Sequence, residues 1–240
     1  MWDWAAFFHY LHSEYLLLGA GVTLGLSLAS LAIGLGCGLA AALMRLSSNP
    51  FINKPASLYV WLMRGTPVLV QLIIIYTGLP QLGIKLNVLE SALLGLGVNE
   101  GAYLAEIIRA GILSVPKGQV EAARAVGMTQ AMTMRLVVLP QALRIIVPPL
   151  GNTFNGLLKT SSLASVISME ELLRRTEELV QIQFKVLEIF IVAALYYLLM
   201  TTVWGLIQER IEARLSRHVA PAGGRLRQKI DAEILSRDSQ

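Results

Sequence analysis

The chain contains 240 residues, of which 55% are hydrophobic and 15% charged, and its mean hydropathy is +0.59. Because soluble domains of this length carry about a quarter charged residues, this composition argues against a soluble protein and predicts an all-α membrane protein. The net charge of +4 does not indicate a nucleic-acid partner, since no basic patch is interleaved with aromatic residues and membrane proteins concentrate Lys and Arg on their cytoplasmic side. The single cysteine, Cys37, lies in an apolar run and is interpreted as a small helix-packing residue.

Five segments provide the roughly 20 largely apolar residues that a helix needs to cross the bilayer. They are Leu16–Met44, Ala56–Leu79, Val88–Leu113, Gln141–Ser168 and Val186–Ile207. We therefore predict five transmembrane helices in a membrane domain of residues 16–207, which follows a short periplasmic or interfacial N-terminus (1–15) and precedes a charged tail (208–240).

Small and helix-breaking residues predict some details of these spans. Two G-x-x-x-G pairs in the first span, Gly21/Gly25 and Gly34/Gly38, allow close helix approach, which we assign to packing within the chain rather than to dimerisation. Pro67 lacks the N–H that would bond the carbonyl four residues earlier, so the second span is predicted to kink or unwind there.

Capping signals predict where several helices begin. Three such signals are Asn49 before Pro50, Asn87 with Glu90, and Ser168 with Glu171. The last of them is predicted to open a short amphipathic helix outside the membrane that ends near Gln181. Pro148 and Pro149 predict that the fourth span is bent and starts as a separate short helix.

Counting Lys and Arg on the two sides of the spans gives the orientation. With the N-terminus outside, 14 of the 20 lie on the inner side, four on the outer side, and two, Arg64 and Lys159, within the membrane. This distribution predicts a periplasmic N-terminus, a cytoplasmic C-terminus and a cytoplasmic position for the polar loop at 117–140.

The stretch from Glu121 to Pro140 reads E-A-A, three residues, Gly127, nine residues and then V-x-L-P. It resembles the EAA loop of ABC importer permeases, which folds as a coupling helix that docks in a groove of the ATP-binding subunit. The residue types suit that role, because alanines favour helix and leave little bulk, glycine permits a turn, and the proline is expected to end the segment. The resemblance implies that Glu121, Ala122, Ala123 and Gly127 couple this chain to the ATPase.

A second set of segments is similar to the permeases for polar amino acids within that family. The set comprises the R-G-T-P-x-L-V-Q-like run Met63–Leu72, the run Glu106–Ile112, the run Pro116–Gln119, and Leu139–Arg144 followed by Pro148 and Pro149. The resemblance extends from about Gly19 to Arg210. It implies transport of a polar amino acid from periplasm to cytoplasm.

The family resemblance also implies the remainder of the transporter. Two permease subunits, identical or paired with a sister, would sit on two copies of an ATP-binding subunit in the bacterial cytoplasmic (inner) membrane, surrounded by lipid. A periplasmic or lipid-tethered binding protein would deliver the amino acid. The sequence itself contains no G-x-x-x-x-G-K-[ST] phosphate loop. We therefore expect ATP and Mg²⁺ on the separate ATPase, and no cofactor or enzymatic activity on this chain.

Ionisable groups inside a membrane cost roughly 2.5–3.5 kcal/mol each on insertion scales, so they mark candidate functional sites. A zwitterionic substrate needs a cation for its carboxylate and acceptors for its ammonium. The predicted substrate-binding set is Lys159, Thr160, Ser161, Glu106 and Tyr103, with Glu100 as an alternative to Glu106. The competing interpretation is that Lys159 and Glu106 form internal ion pairs that only hold helices together. Arg64 and Pro67 are interpreted as gate or structural residues.

A histidine pair and the intramembrane charges suggest alternatives that the sequence supports less well. His9 and His12 are three residues apart but have no third ligand nearby, so they are interpreted as an interfacial or solvated pair and not as a metal site. A secondary transporter or channel that works without an ATPase is the alternative function, since intramembrane Glu106 and Lys159 suit an ion-coupled route. Five spans without an inverted repeat argue against it. No nucleophile–base–acid set is visible, which argues against a membrane enzyme.

Overall fold

Every regular element is helical in the part of the chain that the computed structural model describes, residues 2–216. The helices are α1 (Trp4–Leu11), α2 (Glu14–Leu46), α3 (Pro50–Gly65), α4 (Val68–Ile73), α5 (Val88–Leu113), α6 (Lys117–Ala125), α7 (Gln130–Thr133), α8 (Leu139–Thr160), α9 (Leu172–Gln183) and α10 (Val186–Ser216). Short turns extend some of them: a π turn (Ile74–Gly78) and a 3-10 turn (Leu79–Leu82) follow α4, a π turn (Met134–Val138) joins α7 to α8, and a 3-10 turn (Ser161–Ile167) follows α8. The predicted all-α class is confirmed.

Within the described residues, three continuous helical segments are long and apolar enough to cross a membrane. They are Glu14–Leu46, Gln130–Ile167 and Val186–Leu215. A fourth is added if Pro50–Gly65 and Val68–Leu82, which meet at an angle of 105°, count as one broken span. Helix α5 has 26 residues but is not among these candidates, because polar and charged side chains interrupt its apolar surface.

The long helix α2 packs closely along α5, and glycines permit this approach. A Cβ atom at Gly38 would lie only 2.9 Å from the carbonyl oxygen of Gly101, and one at Gly34 would lie 3.2 Å from that of Gly97. Packing within the chain is therefore confirmed for the Gly34/Gly38 pair. The same prediction is wrong for Gly21 and Gly25, where an added Cβ meets no described atom within 4 Å.

The second predicted span is a broken helix pair. The predicted cap at Asn49 is confirmed, with its Oδ1 accepting the N–H of Phe51 (3.0 Å), so α3 begins at Pro50, ahead of the apolar span predicted from Ala56. The predicted disruption at Pro67 is confirmed, and the 105° angle makes it a sharp break between two helices.

Prolines elsewhere interrupt the helices less than predicted. Pro140 does not end a segment, because the π turn Met134–Val138 absorbs the missing backbone hydrogen bond and the helix runs on. Pro148 and Pro149 lie inside an unbroken α8, so the predicted separate short helix is absent from the described chain. Each proline removes one backbone bond and crowds the carbonyl four residues earlier, but the packing of α10 along α8 supports the helix on that side.

The short helix α9 begins at a different cap from the predicted one. Ser168 has φ of 67°, a left-handed conformation in which it ends the preceding 3-10 turn, whereas an N-cap needs extended backbone. Glu171 caps α9 instead, with its Oε1 accepting the N–H of Arg174 (2.9 Å).

The last predicted span begins at Val186 as observed, but α10 continues past Ile207 to Ser216. The beginning of the predicted tail (208–240) is therefore helical, and its remainder from residue 217 lies outside the described residues.

Candidate functional site

A polar cavity of about 300 Å³ lies where the break between α3 and α4 faces α5 and α8. Its lining includes Thr66, Pro67 and Val68 from the break, Asn99, Glu100 and Tyr103 from α5, and Thr153 and Thr160 from α8. Glu100 supplies a carboxylate, and the surrounding amide and hydroxyl groups supply neutral donors and acceptors. One acid, several neutral polar groups and an aromatic ring suit a small polar molecule that carries a cationic group.

The structure divides the predicted substrate-binding set. Tyr103 and Thr160 line this cavity, but Lys159 faces a second cavity of about 520 Å³ between α8 and α10, together with Tyr197 and Thr201. Ser161 is buried and donates its hydroxyl hydrogen to the carbonyl of Leu158 (3.0 Å). The division follows from helix geometry, because consecutive residues on a helix point about 100° apart.

Glu106 is held by three arginines. Its carboxylate lies 2.7 Å from Nη1 of Arg45, 3.2 Å from Nη1 of Arg64 and 3.1 Å from Nη2 of Arg109. Arg109 lies three residues after Glu106 on the same face of α5, which is a spacing at which opposite charges pair on a helix. Lys159 has no acidic group within ion-pair distance among the described residues, so an ion pair is present for Glu106 and not for Lys159.

This ion cluster lies next to the polar cavity. The guanidinium carbon of Arg64 stands 5.4 Å from the centroid of the Tyr103 ring, which itself lines the cavity. The cluster joins the ends of α2 and α3 to α5, in agreement with the structural interpretation of Arg64. Sequence analysis missed the role of Arg45, because a residue 61 positions from its partner leaves no local pattern.

The predicted coupling loop, residues 117–140, folds as α6, α7, the π turn Met134–Val138 and the start of α8. Ala123 is buried against the rest of the chain, whereas Glu121, Ala122 and Val126 are exposed, the last of them at 75%. The buried side continues into a hydrophobic cluster. Its buried members include Val115, Val138, Ala142 and Ile146. Helix α6 is thereby fixed by one face and presents the other as a free surface.

Gly127 ends α6 in a Schellman motif. The N–H of Gly127 donates to the carbonyl of Arg124 (3.0 Å), and the N–H of Met128 donates to the carbonyl of Ala123 (3.1 Å). The φ of Gly127 is +84°, a left-handed conformation that side chains with a Cβ resist. The predicted glycine turn is thus confirmed.

Comparisons with known proteins agree with this architecture. The family described as the binding-protein-dependent transport system inner membrane component matches residues 32–217. The L-cystine transport system permease protein TcyB of Bacillus subtilis is 43% identical over 207 residues, which cover 85% of this chain and 88% of that protein. The glutamine transport system permease protein GlnP of Escherichia coli is 38% identical over 215 residues, which cover 89% of this chain and 97% of that protein.

The fold is also similar to a solved structure described as the crystal structure of an amino acid ABC transporter with histidines. The TM-score is 0.84 at 40% sequence identity, and the match covers 89% of this chain and 99% of that chain. These matches span the cavity, the arginine cluster and the α6 surface.

Proposed function

Because the chain belongs to the family of inner membrane components of binding-protein-dependent transport systems, we propose that it is the permease subunit of an ABC importer that carries a polar amino acid from periplasm to cytoplasm. The observation that carries the proposal is the identity of 38–43%, over nearly the full length, to permeases named for glutamine and cystine transport. The protein is an inner membrane component, and ATP is hydrolysed on a separate subunit.

In this proposal the chain crosses the membrane five times, with α5 and the broken α3–α4 pair each counted as one crossing. Helix α5 has 26 residues, or about 39 Å at 1.5 Å per residue, which exceeds the hydrocarbon thickness of about 30 Å. Its most polar groups contact protein: Glu106 is paired with arginines and Asn99 is buried. The distribution of Lys and Arg supports a periplasmic N-terminus and a cytoplasmic C-terminus.

The substrate is proposed to bind in the polar cavity between the helix break, α5 and α8. Glu100 would accept the hydrogen bonds of the substrate ammonium, the Tyr103 ring would stack against it, and the Thr160 hydroxyl would donate to its carboxylate. Glu100 takes the place of Glu106 here, because the Glu106 carboxylate is already paired with arginines.

A pair of substitutions tests this choice of site. Glu100→Gln keeps the side-chain shape but removes the charge, so we expect the apparent KM for the amino acid to rise about 10- to 150-fold. Lys159→Ala changes the second cavity and is expected to leave that KM within about twofold. The opposite pattern would favour the site predicted from the sequence around Lys159.

Coupling to the ATPase is proposed to occur through α6 and its glycine turn. Glu121 and Ala122 lie on the exposed face, Ala123 fixes the helix to the membrane domain, and Gly127 shapes the end. Two permeases, identical or paired with a sister, two ATP-binding subunits that hold ATP and Mg²⁺, and an amino-acid-binding protein would complete the importer.

The complete complex in proteoliposomes tests the function directly. We expect uptake of a polar amino acid that requires the binding protein outside and ATP inside. Uptake that proceeds with this chain alone, without any ATPase, would refute the proposal and favour a secondary transporter or channel. A panel of polar amino acids in the same assay identifies the substrate.

A further inference from the structure

The break between α3 and α4 leaves carbonyl groups without their usual helical partners. The last carbonyls of α3 have no N–H group one turn ahead, because the chain turns away by 105° and Pro67 has no N–H. Inside a membrane domain such groups are expensive to leave unpaired, since no bulk water replaces the lost bond. Side chains must therefore supply the donors at this point.

Gln71 supplies most of them. The two hydrogens of its Nε2 are shared among three acceptors, the carbonyls of Met63 (3.0 Å) and Thr66 (3.2 Å) and Oγ1 of Thr66 (2.8 Å). The Thr66 hydroxyl in turn donates to the carbonyl of Leu62 (2.8 Å). The position of Gln71 explains its reach, because it lies four residues after Pro67 and helical side chains lean toward the N-terminus of their helix.

Asn99 ties this arrangement to α5. Its Nδ2 donates to the carbonyl of Met63 (3.0 Å) and to Oε1 of Gln71 (3.1 Å). Both amide side chains are buried, Gln71 at 9% and Asn99 at 7% exposure. The two amides therefore form one bridge that connects α3, α4 and α5 at a single point, and we call it the amide bridge.

The amide bridge borders the polar cavity. Thr66, Pro67 and Val68, which form the break, line the cavity together with Asn99. Any change in the angle of the break moves these residues relative to Glu100 and Tyr103 on the rigid α5. The hydrogen bonds that satisfy the break thus also set the shape of the cavity.

We propose that Gln71 and Asn99 are positioning residues for transport, and that their amide bridge fixes the helix break that forms one wall of the substrate cavity. The transport part of this proposal rests on the proposed function, whereas the structural part does not. Loss of the bridge does not restore a straight helix, because Pro67 remains. It leaves the break with several accessible angles, so the cavity holds the substrate less well.

The variants Gln71→Met and Asn99→Leu remove the hydrogen bonds at similar side-chain volume. In the complete complex, each is expected to raise the apparent KM for the transported amino acid about tenfold. Gln71→Glu is expected to be worse than Gln71→Met, because its carboxylate faces two carbonyl oxygens. Thr77→Val is the matched control, since the Thr77 hydroxyl bonds only the carbonyl of Ile73 in its own helix.

The double variant provides the decisive comparison. If Gln71 and Asn99 act as one bridge, combining Gln71→Met with Asn99→Leu should raise KM little beyond either single change. Two effects that multiply, or an unchanged KM in the single variants, would overturn the proposal.

A distance measurement tests the bridge without transport. Spin labels at Leu58 and Leu82, both exposed, report the angle between α3 and the segment after the break in a Cys37→Ala background. Gln71→Met is expected to broaden the distance distribution at least twofold, and Thr77→Val to leave it unchanged. An unaltered distribution in Gln71→Met would overturn the bridge.

The two assays separate failure of the inference from failure of the proposed function. Absence of uptake by the unmodified complex would refute the proposed function, while the distance assay would still decide on the bridge. If Gln71→Met does not assemble with the ATP-binding subunit, Asn99→Ser replaces it in both assays. This variant removes only the hydrogen bonds that Asn99 donates from α5, and it is likewise expected to raise KM and to broaden the distance distribution.

Discussion

Replacing Gly127 with alanine should weaken the attachment of the ATP-binding subunit through backbone conformation alone. The added methyl group meets no described atom within 4 Å, but an L-residue must then hold φ at +84°. A left-handed conformation costs a residue with Cβ about 1–2 kcal/mol, and the Schellman bonds at the end of α6 hold that conformation in place. If α6 must keep this end to dock, the cost reduces the affinity for the ATP-binding subunit by a factor of about 5–30.

The matched control lies in the same helix. Gly118 also has open space around an added Cβ but has no positive φ, so Gly118→Ala is expected to be neutral or to stabilise α6 by up to about 1 kcal/mol. Titrating the ATP-binding subunit onto the permease in nanodiscs measures both affinities. Equal affinities for the two alanine variants would contradict the reasoning, since both add the same group to the same exposed helix.

Three further predictions concern the cap of α9, the contact between α1 and α10, and the helix packing. Glu171→Ala should destabilise the protein by about 2–4 kcal/mol in thermal unfolding, because it removes the cap of α9 and the acceptor of the Thr23 and Tyr197 hydroxyls, whereas Glu171→Gln should cost less. The backbone N–H of Ala6 and the Lys185 ammonium hold the pKa of Asp3 below its ordinary value of 3.8. The ion pair of Asp3 with Lys185, which connects α1 to the start of α10, should therefore persist above pH 3.8 and break as the pH falls through the lowered pKa. Fluorescence of the tryptophans near the N-terminus measures this change. Gly38→Ala should cost about 1–3 kcal/mol in thermal unfolding because of its contact with α5, and Gly25→Ala should be neutral or stabilise the protein by up to about 1 kcal/mol.

Several parts of the fold can be predicted from local signals in the sequence. The capping box of Asn87 and Glu90 starts α5 as predicted, since all of its bonds lie within four residues. The break at Pro67 and the left-handed turn at Gly127 likewise depend on properties of single residue types. The same kind of signal failed at Ser168, because the preceding 3-10 turn imposes a left-handed conformation there that a four-residue pattern does not reveal.

The candidate site depended on contacts between distant segments. Three arginines converge on Glu106, and only the one three residues away was visible in the sequence. Lys159 and Thr160, which were predicted to bind substrate together, line different cavities, because neighbours on a helix face different sides. The bridge between Gln71 and Asn99 joins residues 28 positions apart, and neither residue was singled out for it.

Helix α5 connects the parts of the molecule to which the proposed function assigns different tasks. Its middle contributes Asn99, Glu100 and Tyr103 to the cavity, and one turn further Glu106 holds arginines from α2 and α3. Three residues separate the end of α5 from the start of α6, whose exposed face is proposed to couple to the ATPase. Because a continuous helix resists bending, a displacement of α6 that moves α5 also moves one wall of the cavity, and the ion cluster makes α2 and α3 follow. The opposite wall belongs to α8, which follows α7. In the proposed orientation α6 and α7 both face the cytoplasm, and the proposed function implies that the position of α5 relative to α8 decides whether the cavity between them is open or closed.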